Sequence, residues 1–200
     1  MDEGSRTGPL TILIPGTKWE GSGGWGPNNP LFRYGNGALS QNCGRDCTRL
    51  LKWSGGNKDR YRFEAADMVR EMIAEHRFAV DDKLNILTHS HGGNVALAAS
   101  HIGVTHKIDN LITLNKPRLV GAAYRVGNNV GNFFNISAYR DRLQWAGSNA
   151  KLTSKWATDP NAVNLKVDTS SSNLKPHGAL ILDDRIREGW WTWLLDRILV

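Results

Sequence analysis

Cysteine is scarce in this 200-residue chain: there are two, close together in Cys43-Gly44-Arg45-Asp46-Cys47. A lone C-x3-C pair does not supply the four ligands of a structural zinc site, and the six histidines show no metal-binding spacing. No metal and no organic cofactor is expected. The two thiols stand near enough to bridge a loop in an oxidising compartment, and free thiols remain the alternative. Long apolar runs are also missing, and none approaches the roughly 18 residues that cross a bilayer. The polar start Met1-Asp2-Glu3-Gly4-Ser5-Arg6 has neither the basic nor the apolar region of a signal peptide. A soluble chain is expected, and any export has to use another route. Acidic residues are in deficit, 19 against 25 lysines and arginines, for a net charge of +6. The basic residues are scattered, and no nucleic-acid-binding signature accompanies them, so nucleic acid is not an expected partner. Phospholipid headgroups or an acidic protein fit the charge, as does a merely solvated basic surface. Internal repeats and low-complexity tracts are absent.

What is present suits one core. The chain is 40% hydrophobic and 22% charged, and its length is enough to bury a single sizeable interior, so one domain over residues 1–200 is expected. Leu10-Thr11-Ile12-Leu13-Ile14 reads as a buried strand stopped by Pro15-Gly16. A glycine-rich segment from Thr17 to Asn42 follows, with Trp19, Trp25, Phe32 and Tyr34. It is long for a structureless loop and reads as a lid or as a packed structural loop. Thr48 to Trp53 is a second predicted strand. Phe63, Ala66, Val69, Met72 and Ile73 share one face of a helix predicted over Asp59 to His76. Further strands are predicted at Leu84 to Leu87, Ile108 to Leu114 and, as the last, Phe133 to Tyr139. Asn164 to Pro176 reads as a surface loop, and Arg185 to Leu199 as a closing helix whose tryptophans pack into the core. Strands alternating with helices imply an α/β domain with a mainly parallel sheet, flanked by helices on both faces, that binds ligands at the carboxyl ends of its strands.

The chemistry gathers at one of those ends. Thr88-His89-Ser90-His91-Gly92-Gly93 joins the run Leu84 to Leu87 directly to the small-residue stretch Val95-Ala96-Leu97-Ala98-Ala99. A serine on so sharp a strand-to-helix turn is lifted out of the sheet, and small neighbours are required because the backbone doubles back. Thr88 stands where the Gly-x-Ser-x-Gly pattern has its first glycine. As a bare turn residue, Ser90 would only cap the following helix. As a nucleophile it needs a base, and the base needs a carboxylate to hold it.

Asp141 follows the strand ending at Tyr139, and His177 lies in a predicted loop before the last helix. Together they complete the chain order Ser, Asp, His that accompanies this turn. Asp159 and Asp168 are the reserve carboxylates. His89 and His91 flank the serine, His76 and His101 fall on or at the ends of helices, and His106 precedes a strand; none competes well. An oxyanion also needs backbone donors. The amides of His91, at the start of the elbow helix, and of Thr17, just after the first strand, are the candidates.

On these residues the chain resembles the α/β-hydrolases of the serine lipase and esterase kind, in a compact form lacking the first strands of the full fold. The likeness runs through Ile14-Pro15-Gly16-Thr17, Trp53-Ser54-Gly55, the Ser90 elbow, Thr113-Leu114-Asn115-Lys116-Pro117, Asp141 and His177. It implies carboxylic ester hydrolysis, with no cofactor. The small size and the abrupt beginning also resemble lipase-like toxin domains of bacterial secretion-delivered effectors. That resemblance implies a phospholipid substrate, delivery by a secretion apparatus and a cognate immunity protein as partner. Esterase or thioesterase action on small soluble substrates, and a non-catalytic binding module on the same fold, are the alternatives.

Overall fold

Short β-branched and leucine-rich runs build the centre of the molecule. The computed structural model describes residues 8–17, 29–37, 39, 47–101, 104–139, 141 and 159–198. Among these, β1 (Leu10–Ile14), β2 (Thr48–Leu50), β3 (Leu84–His89), β4 (Ile108–Leu114), β5 (Val130–Ala138) and β6 (Val163–Val167) form one sheet in the order β2-β1-β3-β4-β5-β6. Every pairing is parallel. From β1 the chain passes outward to β2, then returns to lay β3 on the other side of β1. The order therefore reverses beside β3, and ligands of open parallel sheets bind at such a reversal.

Burial on both faces explains why β1, β3 and β4 read as continuous apolar runs, without strict alternation. On one face, Leu10, Ile12, Leu84 and Ile86 pack under α2 (Asp59–Ala74) and α3 (Gly92–Ser100). On the other, Leu13, Leu87, Ile112 and Ile136 pack under α1 (Pro30–Gly37), α4 (Pro176–Leu182) and α5 (Asp184–Ile198). Helix α3 is buried along its whole length, and its glycines and alanines let it lie close against the sheet. Trp190 and Trp191 of α5 are core residues, as expected, and the Trp190 indole donates to the Leu180 carbonyl at 2.9 Å. No helix of the described residues is long and apolar enough to cross a membrane.

Polar side chains also cross the sheet. Asn85, Asn110 and Asn132 stand in register on β3, β4 and β5 and bond in sequence at 2.7 and 3.0 Å. A second row joins Thr113, Asn135 and Asn164, each bond 2.9 Å. Each amide satisfies its neighbour, which is what permits asparagine inside an apolar sheet.

Four expectations need correction. Val163–Val167 is the edge strand β6, not part of a surface loop, and β5 is not the last strand. An edge strand is half solvated, so Val-Asn-Leu-Lys-Val lacks the apolar density that marks the inner strands. Strand β2 ends at Leu50, short of Trp53. Pro30–Gly37 within the glycine-rich segment is helical, whereas Trp19 and Trp25 lie outside the described residues. His177 sits in the first turn of α4, not in a loop, with Pro176 at the helix start where its missing N–H costs nothing. Cys47 is disulfide-bonded; Cys43 lies outside the described residues.

Candidate active site

Strand β3 runs into α3 through Ser90, whose φ of 54° is left-handed. A non-glycine residue there is strained, and strain of that kind belongs to tight functional turns. The turn is held from both sides: the Ser90 amide donates to the Leu114 carbonyl at 2.8 Å, and the Gly93 amide donates to the Ser90 carbonyl at 3.0 Å. Gly92 is sterically obligatory. A Cβ there would meet the Ile14 carbonyl and come within 2.6 Å of the Pro15 carbonyl oxygen, both backbone. Gly16 is pressed against the serine itself, since a Cβ on it would lie 2.7 Å from Ser90 Cβ and 3.3 Å from Ser90 Oγ. The end of β1, with Thr17 in the turn that follows, thus lies alongside Ser90. Trp53 secures this segment by donating its indole N–H to the Pro15 carbonyl at 3.0 Å. His91 takes the position preceding α3.

Asp141 and His177 meet. Nδ1 of His177 lies 2.6 Å from Oδ2 of Asp141, across 36 residues of chain, and Asp141 is buried. His177 is tied to the Ser90 turn through its backbone, because its carbonyl oxygen accepts from Nε2 of His89 at 2.9 Å. The rings of His89 and His177 are 4.6 Å apart. Among the described residues the Ser90 hydroxyl makes no hydrogen bond to the His177 ring. The reserve carboxylates are engaged elsewhere: Asp159 lies 3.7 Å from the buried Lys116 ammonium, and Asp168 accepts from the Ser170 amide at 2.8 Å.

Both histidines beside Ser90 are held neutral. Burial pushes His89 down to about 3, and the charge of His177 acts in the same direction. Burial pushes His91 down to about 4, followed by the charges of Arg62 and His177. Nδ1 of His91 faces Arg62 Nη1 at 3.5 Å. The guanidinium also donates to Tyr124 at 3.1 Å, Asn57 at 3.0 Å and Asp59 at 2.8 Å, and the Tyr124 hydroxyl donates to Asp59 at 2.6 Å. An arginine has only donors, so the His91 nitrogen facing it is an acceptor and Nε2 carries the proton.

Sequence reasoning does not single out Arg62 or Tyr124, and it names Trp53 and Asn115 only within the resembling segments, without a role for either side chain. Arg62 follows Asp59 at i+3, a spacing read more often as a solvated pair than as a buried one. For Asn115 a signal existed: asparagine directly after an apolar strand is a residue type that tolerates left-handed backbone.

No family model matches the chain, and no curated protein matches it in sequence. Solved structures match it in fold. Fungal esterases from Rhizomucor miehei align over 97% of this chain and 75% of theirs, with 11% identity and a TM-score of 0.50. A protein described as a YdeN-like hydrolase from Pectobacterium atrosepticum aligns over 96% of this chain and 89% of its own, with 8% identity and a TM-score of 0.46. The likeness to the Rhizomucor structure is one of fold: the all-parallel sheet with helices on both faces is an α/β-hydrolase fold.

Proposed function

We propose that this chain is a serine hydrolase that cleaves carboxylic esters through an acyl-enzyme on Ser90, acting on lipid as the phospholipase-like domain of a bacterial effector toxin. The observation that carries the catalytic part is the His177–Asp141 contact of 2.6 Å, made at the sheet end where Ser90 is held in left-handed backbone. In this reading Asp141 accepts a hydrogen bond from Nδ1–H and orients the ring, so that Nε2 is the nitrogen left to take the Ser90 proton. The Ser90 oxygen attacks the ester carbonyl, and the amides of Thr17 and His91 receive the oxyanion. His177 then returns its proton to the departing alcohol. Water, deprotonated by the same ring, releases the acid and regenerates Ser90. Burial first, and the Arg62 guanidinium second, keep the His91 ring uncharged, and Arg62 faces that ring at Nδ1.

A net charge of +6 favours an anionic membrane surface. An immunity protein that blocks the site is the partner this reading calls for.

Fatty acid release from mixed phospholipid vesicles by the wild type and by Ser90→Ala, each checked for folding, tests the proposal. Release that depends on Ser90 supports the lipolytic reading. Turnover of short soluble esters alone would replace lipid with a small substrate. No Ser90-dependent turnover of either would leave a binding module on a hydrolase fold. Growth arrest of bacteria expressing the wild type but not Ser90→Ala tests the toxin part.

A further inference from the structure

We infer that Asn115 is a positioning residue whose single carboxamide holds together the two chain segments that carry Asp141 and His177. It follows β4 directly, is fully buried, and has a left-handed φ of 50°. Its Oδ1 accepts from the Ala138 amide at 2.7 Å, at the end of the strand that leads into Asp141. Its Nδ2 donates to the carbonyls of His177 at 3.0 Å and Pro176 at 3.2 Å, where α4 begins. Its own amide donates to the Ile136 carbonyl at 2.9 Å, which keeps β4 in register with β5 beyond their last paired residues.

The residue type is dictated twice over. Left-handed backbone is open at low strain to glycine, asparagine and aspartate. Of these only asparagine carries both an acceptor for the Ala138 N–H and donors for two carbonyls. Aspartate would set a carboxylate against the oxygens of Pro176 and His177, and glycine would keep the backbone but drop every side-chain bond. The His177 carbonyl receives a second donor, Nε2 of His89, from the end of β3. One carbonyl oxygen is therefore gripped from the ends of two neighbouring strands. The ring attached to that residue is thereby set at hydrogen-bonding distance from Asp141.

The kinetic consequence rests on the serine-hydrolase reading; the geometric one does not. A shift of ~1 Å in a catalytic group costs on the order of 100-fold in rate. Two readouts on Asn115→Gly and Asn115→Asp, each confirmed folded by circular dichroism, separate the two. The first is the far-downfield proton resonance of His177 Nδ1–H, assigned by its absence from His177→Ala. The second is kcat and KM on a soluble ester, measured also in the His177→Ala background.

Loss or strong shift of the resonance in both variants is expected, with kcat down roughly 10- to 100-fold, KM little changed, and no further loss when His177 is already absent. An unchanged resonance in folded Asn115→Gly overturns the inference, as does a loss of kcat that is fully retained in the His177→Ala background. If the wild type hydrolyses no ester while the resonance responds as expected, the proposed function fails and the positioning role of Asn115 stands.

Discussion

His89 and His91 adjoin the same serine, yet they belong to opposite halves of the molecule. His89 ends β3 on the α4 side and donates to the His177 carbonyl; His91 turns to the α2 side, where it accepts from Arg62. A neutral imidazole has one donor and one acceptor nitrogen, and the two rings use opposite ends of that capacity. The His89 half bears on His177: His89 donates to the His177 carbonyl, and the His177 ring meets Asp141. The His91 half fixes the turn, because its contacts run to α2 and to the tip of β1. Both halves bury their ring and so keep positive charge away from Ser90, leaving His177 as the histidine there with a carboxylate partner.

The largest expected effect breaks the first half. Asp141→Asn retains the shape but favours the wrong tautomer of His177, and kcat should fall by about 10⁴ with a near-wild-type unfolding midpoint. A fall of less than tenfold would remove Asp141 from the mechanism. Breaking the second half acts on stability. Gly92→Ala drives a Cβ into the Ile14 and Pro15 carbonyls, neither of which is a flexible side chain, and should destabilise by about 3 kcal/mol in denaturant titrations. Unchanged stability would mean that the tip of β1 yields freely.

Acid sharpens the comparison by loading both rings at once. Their folded values, about 3 for His89 and about 4 for His91, lie below the 6.5 of an unperturbed histidine. Between these limits the unfolded chain binds protons that the native chain refuses, so stability falls as pH drops below 6.5. Each ring contributes a loss of about 2 kcal/mol between pH 6.5 and pH 5, at about 1.4 kcal/mol per unit. Urea midpoints at the two pH values measure the sum, and His91→Gln should remove its own share. A wild-type midpoint that does not move over this interval would place both rings in contact with water. The smallest effect separates burial from charge: in Arg62→Met, His91 should titrate higher by NMR but still below 6.5, because burial outweighs the guanidinium. No movement would show that Arg62 holds the ring by contact alone.

Much of the local structure around Ser90 was legible in the sequence. The apolar run into Thr88-His89-Ser90-His91-Gly92-Gly93 is a local pattern, and the tight turn it implies is present, with Ser90 at positive φ. The helix over Asp59–Ala74 and the strand over Ile108–Leu114 follow from periodicity and apolar density, which report which face of a segment is buried. Strand β6 escaped because an edge strand has only one neighbour to declare it. Helix α4 escaped because it is a short segment, Pro176–Leu182, set apart from α5 by a single residue. The buried role of Arg62 escaped because a charged residue near a helix start reads as solvated until Tyr124 and His91 are brought to it.

Residue types and their chain order were enough to nominate Ser90, Asp141 and His177, because nucleophile, carboxylate and base are chemical identities that a sequence states outright. That Asp141 and not Asp159 or Asp168 reaches His177, and that Asn115 binds the backbones on both sides of that contact, was decided by the tertiary structure alone. These meetings join strand and helix ends far apart in the chain. Local pattern carries no distance across such separations; only the parallel pairing of β3, β4 and β5, which brings their ends to one edge of the sheet, does.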